Sequence, residues 1–246
     1  MKWIYFSPHL DDAVYSCGGL IWKQTRASDQ VEIWTICAGD PPEGPLSDFA
    51  RSIQSRWQTG PRAAAARRSE DLRACEILGA AAKHFNVPDC VYRRLPESGA
   101  PVIFEDDDLF RPLLLGEAYL VTDVYETLLA ELPENCQLIC PLTVGGHMDH
   151  RLTRSAAEKL GRSLWYYAEY PYAAEQGSFS VELLEDSWEK VLYSVSEDEL
   201  AMWQQGAAAY VSQLSTFWSG KEVMNSEIRS YRDAINGIIL WKSADN

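Results

Sequence analysis

Residues 2–37 read KWIYFSPHLDDAVYSCGGLIWKQTRASDQVEIWTIC, and this stretch decides the fold. Lys2–Phe6 is a short apolar run that ends at Ser7-Pro8, the pattern of a buried strand running into a loop. From Asp11 the period changes. Ala13, Val14, Cys17, Leu20, Ile21 and Gln24 recur at the i, i+3, i+4 spacing of one helix face. Asp11 and Asp12 open that helix, where negative charge is favourable against the macrodipole. Val31–Cys37 (VEIWTIC) is rich in β-branched and aromatic residues and predicts the next strand. Strand, helix and strand together make a βαβ unit with a right-handed crossover.

The alternation continues outward from this unit. Ala38–Gly60, rich in Gly, Pro, Ser and Asp, reads as a long loop on the substrate side. Pro61–Gly79 predicts a helix that stops at Leu78-Gly79. Val91–Leu95 reads as a short strand, Glu105–Asp108 as a solvated acidic loop, and Glu117–Leu132 as a helix ended by Pro133. Gln137–Leu142 is a buried strand opening into Thr-Val-Gly-Gly. A helix over Asp149–Gly161 and a strand over Leu164–Ala168 follow. Beyond Pro171 the pattern weakens to a strand at Trp188–Val195, a helix at Ser196–Ser215 and a last strand at Ile235–Trp241. Ser196 and Glu199 form a capping-box pattern at the start of that helix. The expected fold is α/β: an open, largely parallel, Rossmann-like sheet sandwiched by helices in three layers, with 1–246 as one domain.

Composition excludes several function classes. Of 246 residues, 36 are acidic and 22 basic, a net charge of 22 − 36 = −14. A nucleic-acid surface needs a basic patch, and an anionic membrane surface needs one too, so neither partner is expected. A small-molecule substrate is expected instead, and homo-oligomerisation is left open. The opening residues MKWIYFSPH lack the apolar stretch of a signal peptide, and no apolar run reaches membrane-helix length. The six cysteines are dispersed without a Cys-x-x-Cys pair, which predicts free thiols and a cytoplasmic protein.

The chemistry concentrates at two strand-to-helix junctions. Ser7-Pro8-His9-Leu10-Asp11-Asp12 follows the first strand, and Gly145-Gly146-His147-Met148-Asp149-His150 follows the Gln137–Leu142 strand. Taken singly, each has a bland reading: helix-capping aspartates beside a loop histidine, or a glycine turn with polar helix-start residues. Taken together, they hold three of only four histidines, each beside an aspartate. In open α/β sheets ligands bind at the carboxyl ends of strands. If the two strands are neighbours, the two motifs together can supply a His, Asp, His set with an open coordination position, the form of a catalytic zinc site; His9 and Asp12, three apart, can be aimed at one point, and His147 and His150 share the same spacing. Asp11 then points elsewhere, free to act as a base.

SPHLDD with Gly18-Gly19 resembles the Pro-His-x-Asp-Asp…Gly-Gly signature of the PIG-L/LmbE-like zinc-dependent deacetylases. GHMDH resembles that family's His-x-Asp-His motif, Arg68-Ser69-Glu70…Ala74…Leu78-Gly79 its intervening helix, and Tyr166–Pro171 (YYAEYP) its aromatic-Glu-Pro stretch. The likeness spans about residues 3 to 171. It implies hydrolysis of an N-acyl, in the first place N-acetyl, group on a small molecule such as an N-acetylglucosamine conjugate. It implies Zn2+ held by His9, Asp12 and His150, and Asp11 as the base that takes a proton from the activated water. His147 would stabilise the oxyanion as a cationic imidazole or protonate the leaving amine, and Asp149 would orient a neighbouring histidine. Arg68 and Asp40 become candidate substrate contacts, each against a bland alternative of a surface ion pair or a turn-forming Asp. Rival functions are an amidase on a non-sugar conjugate and a metal- or sugar-binding protein without catalysis; the presence of Asp11 favours catalysis. Two departures stand out. Met148 replaces a common proline, and Gly145-Gly146 stand where some members carry a tyrosine, which suggests a wider pocket unless a phenol arrives from elsewhere.

Overall fold

In a computed structural model, which describes residues 1–175 and 188–243, the first βαβ unit is present as read. β1 (Lys2–Ser7), α1 (Asp12–Arg26) and β2 (Gln30–Thr35) open the chain. They are followed by α2 (Asp48–Arg56), α3 (Ala63–Leu78), β3 (Ala81–His84), α4 (Ala118–Glu131), β4 (Gln137–Pro141), α5 (Met148–Glu158), β5 (Leu164–Tyr167) and α6 (Tyr172–Glu175). The chain then forms β6 (Trp188–Tyr193), α7 (Glu197–Ala207), α8 (Val211–Phe217), α9 (Lys221–Ile235) and β7 (Ile238–Ser243). Among the described residues the strands form one sheet in the order β3-β2-β1-β4-β5-β7-β6. The first five are parallel, and β7 and β6 are antiparallel additions.

Strand alternation splits the core in two. Tyr5, Val31, Ile33, Ile139 and Tyr167 point to one face, where α1, α3 and α7–α9 cover them. Ile4, Phe6, Trp34, Leu138, Cys140 and Tyr166 point to the other, under α4 and α5. Both faces of a mostly parallel sheet are thus buried, the expected three layers. A third cluster of Phe49, Ile53, Val91, Tyr92, Ile103 and Met148 joins α2 to the segment after β3. Gly18 lets α7 press onto α1: a Cβ there would lie 2.5 Å from Trp203 Cδ1. The buried Trp203 indole donates to the Tyr15 carbonyl at 3.0 Å.

Several local expectations are corrected. The Ala38–Gly60 loop contains α2, whose N-terminus is capped by Ser47 Oγ accepting from the Ala50 amide at 3.0 Å. Its apolar stripe of Phe49, Ala50 and Ile53 is too short to stand out from polar neighbours. Val91–Leu95 is no strand; Asp89 caps a short 3₁₀ turn at Cys90–Tyr92. The strand on that side is β3, an Ala-rich segment of weak β-propensity recruited by pairing with β2. The acidic run forms a 3₁₀ helix, Asp106–Phe110, in which Asp108 is buried rather than solvated. Ser196–Ser215 divides into α7 and α8, though the capping box forms as read: Ser196 Oγ accepts from the Glu199 amide and Glu199 Oε2 from the Ser196 amide. The final strand begins three residues later than expected, at Ile238 instead of Ile235, because α9 occupies Lys221–Ile235.

Candidate metal centre and active site

The strand order reverses between β1 and β4, and the crevice outside their carboxyl ends is where such sheets bind ligands. Both sequence motifs leave the sheet there. After β1 the chain turns tightly: Ser7 Oγ donates to the His9 carbonyl at 2.6 Å and accepts from the Ala13 amide at 3.1 Å. Ser7 therefore serves the helix start, and Asp11, the formal N-cap, makes no capping bond with its side chain. The bland reading of Asp11 as a helix cap is removed. After β4, Gly145 and Gly146 have φ of 83° and 75°, the left-handed conformations that glycine adopts without strain. His147 caps α5 through Nδ1, which accepts from the Asp149 amide at 3.2 Å.

His9, Asp12 and His150 are buried and converge. Asp12 Oδ2 lies 3.2 Å from His9 Nδ1 and 3.3 Å from His150 Nε2. Each imidazole is held from behind by a fully buried carboxylate. His9 Nε2 faces Asp149 Oδ2 at 3.0 Å, and His150 Nδ1 faces Glu169 Oε1 at 2.9 Å. Two imidazole nitrogens aimed at one carboxylate oxygen, each backed by another carboxylate, are donors and outer support of a kind that could hold a zinc ion. His147 completes the cluster, with donor atoms of His9, His147 and His150 within 4.8 Å of one another.

Charge organises the same residues. Burial opposes ionisation of Asp12, yet His150 and His9 outweigh it and hold the carboxyl well below its usual range. Burial would neutralise His150, but Asp12 and Glu169 raise it to about 9. Asp11 goes the other way: burial and the neighbouring Asp12 push it up to about 8, against the pull of Arg67 and His9. His147 is held well below its ordinary value by burial and by His9 and His150. Asp149 stays ionised despite burial because of Arg93, whose Nη1 is 2.6 Å from Oδ1, and His9.

The cluster thus gathers His9, Asp11, Asp12, His147, Asp149 and His150. Arg68 and Asp40 lie outside it and bind each other at 2.9 Å, with Arg68 also donating to the Ala38 carbonyl at 2.8 Å. The preceding residue, Arg67, is the one that turns inward, to Asp11 at 3.6 Å and Asp89 at 3.3 Å. The buried stripe of α3, Ala63, Ala64, Asp71, Ala74, Cys75 and Leu78, passes through position 67 and not 68. That helical phase was the signal available for Arg67. Glu169 was missed as a functional group although its stretch was noted; its oxygens also accept from the Thr143 and Val144 amides at 2.8 and 3.0 Å. Arg93 and the Cys90 amide, which reach Asp149 across the fold, had no local signal. The glycines of the second motif do not leave an open space. A Cβ at Gly145 would meet the Tyr172 ring at 3.0 Å, and that ring stands edge-on to His150 with centroids 5.9 Å apart. Phe110, from the acidic turn, covers His147 at 5.8 Å.

Several known deacetylases are similar to this chain. The 2'-N-acetylparomamine deacetylase of Streptomyces fradiae is 30% identical over 187 residues, 72% of this chain and 59% of that protein. The match thus spans about three-fifths of the length of that relative. The zinc-inhibited form of a teicoplanin deacetylase superposes with a TM-score of 0.82 at 25% identity, covering all of both chains. The A40926 pseudoaglycone deacetylase superposes with a TM-score of 0.72 at 26% identity, over 98% of this chain and 95% of that one. A family model described as PIG-L, GlcNAc-PI de-N-acetylase, matches residues 4–160, which include both histidine motifs, and the chain belongs to this family.

Proposed function

We propose that residues 1–246 act as one domain, a zinc-dependent N-deacetylase that hydrolyses the N-acetyl group of a sugar-type small molecule. The observation that carries this reading is the convergence of His9, Asp12 and His150 beside a buried carboxyl outside that set, Asp11, and a neutral imidazole, His147. The similar proteins, a 2'-N-acetylparomamine deacetylase, a teicoplanin deacetylase and an A40926 pseudoaglycone deacetylase, support the substrate class. Among the described residues no helix is long and apolar enough to cross a membrane. All six cysteines are unpaired, which supports a cytoplasmic setting.

His9, Asp12 and His150 would hold the zinc. When bound, zinc polarises the acyl carbonyl and lowers the pKa of water from 15.7 to about 7. Asp11 takes the proton of the attacking water, its raised proton affinity placing it near the pH at which a general base works best. Arg67, 3.6 Å away, fixes the direction of that carboxylate. The lone pair of His147 Nδ1 is engaged by the Asp149 amide, so its proton sits on Nε2. His147 therefore acts as a neutral hydrogen-bond donor to the developing oxyanion, not as the cationic imidazole expected from sequence, and the leaving amine takes the proton that Asp11 has accepted from water. Asp149 holds His9 and is itself held by Arg93 and the Cys90 amide.

The test is acetate release from a panel of N-acetylated sugars, aminoglycosides and non-sugar amides by zinc-loaded protein. Turnover confined to acetylated amino sugars is expected. Turnover of non-sugar amides alone, or none at all, would overturn the reading.

A further inference from the structure

The two carboxylates behind the histidines are held by different means. Glu169 is fixed by main chain just past β4: its oxygens accept from the Thr143 and Val144 amides at 2.8 and 3.0 Å. Asp149 receives one amide, that of Cys90, on Oδ2 at 2.9 Å, and the same oxygen faces His9 Nε2 at 3.0 Å. Its other oxygen, Oδ1, is ion-paired with a side chain, Arg93 Nη1 at 2.6 Å. With one oxygen hydrogen-bonded and the other ion-paired, the plane of the carboxylate is fixed, and with it the His9 ring.

Arg93 is itself aimed by a further carboxylate. Its Nε donates to Glu117 Oε1 at 2.6 Å, and its Nη1 donates to the Pro88 carbonyl at 3.2 Å. Arg93 follows the Cys90–Tyr92 turn, and Glu117 immediately precedes α4. Glu117, Arg93 and Asp149 thus alternate in charge along a line that ends at His9, and all three are buried. Burying an ion pair costs desolvation, and apolar side chains of similar volume often serve stability as well or better. The pair is also incompletely satisfied: Arg93 Nη2 and Glu117 Oε2 have no hydrogen-bond partner among the described residues. What this arginine supplies, and an apolar residue would not, is a fixed cation aimed at Asp149.

We propose that Arg93, with Glu117 behind it, is a positioning residue for the metal centre: it sets the zinc affinity of His9 through Asp149 and does not act on His150. This rests on the zinc-dependent reading above. An imidazole already held in its binding orientation loses less freedom on taking a metal, and groups that orient a ligand in this way change affinity about 10–100-fold. The arm of His150 needs no such cation, because backbone amides hold Glu169. The two histidines are therefore supported independently.

The test titrates the metal-free chain with zinc in competition with a chromophoric chelator. Arg93→Met weakens zinc about tenfold in the wild-type background. It does so again in Glu169→Gln, a change on the arm of the other histidine. In Asp149→Asn the same substitution has no further effect, because its route to the metal is already cut. A purely structural role would instead lower the thermal midpoint of the metal-free protein and weaken zinc equally in all three backgrounds. Glu117→Gln keeps the shape of its side chain and runs through the same backgrounds, so the cycle survives a failure of Arg93→Met to fold. Zinc affinity unchanged in both Arg93→Met and Glu117→Gln, or equal losses in Asp149→Asn and wild type, overturns the proposal while the zinc centre stands. A wild-type chain that binds no zinc overturns the centre and this proposal with it.

Discussion

His150 Nε2 lies 3.3 Å from Asp12 Oδ2, across the junction between β4 and β1. The two residues belong to different motifs in different parts of the chain. Their meeting depends on β1 and β4 being hydrogen-bonded neighbours, with Tyr5 opposite Ile139. The juxtaposition of the two motifs is thus a consequence of strand order.

Metal content follows directly from this pair. Purified wild-type protein should hold about one zinc per chain, as a single catalytic site requires. Both Asp12→Ala and His150→Ala should lose it. Elemental analysis after dialysis against a weak chelator checks this; full zinc occupancy in His150→Ala would rule out the assigned ligand set.

Asp11 should separate catalysis from metal binding. Asp11→Ala should keep its zinc and lose turnover by about 10²–10⁴-fold, the usual contribution of a positioned base. Steady-state kinetics beside a zinc assay distinguishes the roles. Turnover at the wild-type rate would show that another group takes the proton.

His147 should act on the transition state. His147→Ala should lower kcat by about 10²–10³-fold with little change in KM, the signature of a lost oxyanion donor. A rise in KM at constant kcat would instead place His147 in ground-state binding.

Zinc loading should release protons. In the metal-free protein, Asp12 and Glu169 raise His150 to about 9, and the carboxylates Asp89, Asp12 and Asp149 raise His9 above its ordinary value against burial. At neutral pH both imidazoles are protonated, and a metal binds only the neutral form. Zinc affinity should therefore rise with pH through the neutral range, up to at least about 9, where His150 becomes neutral. Calorimetry in two buffers of different ionisation enthalpy measures the protons released; an affinity independent of pH below 8 would contradict the paired-carboxylate arrangement.

The support behind the ligands should be measurable too. Glu169→Gln removes the anionic partner of His150 while leaving its size, and should weaken zinc about 10–100-fold. Separately, Gly18→Ala sets a methyl 2.5 Å from the Trp203 indole and should cost about 1–3 kcal/mol through overpacking. Thermal unfolding of the metal-free forms reads the second effect; an unchanged midpoint would mean that α7 shifts freely on α1.

Local pattern alone determined the βαβ opening, the places of α1, α4 and α5, the capping box of Ser196 and the position of the candidate residues His9 to Asp12 and His147 to His150 at two strand-to-helix junctions. Each of these rests on interactions between residues close in sequence, such as helix-face periodicity, strand alternation, side-chain caps and motif spacing. What lies between distant segments was decided by tertiary structure. An Ala-rich segment became β3 because β2 offered it a free edge. The phase of α3 chose Arg67 over Arg68 as the partner of Asp11. Glu169 and Asp149 became the supports of His150 and His9 because β5 lies beside β4 and α5 begins at its end. None of these contacts is visible in local pattern, because burial and ion pairing depend on which surfaces meet, and only the packed sheet settles that.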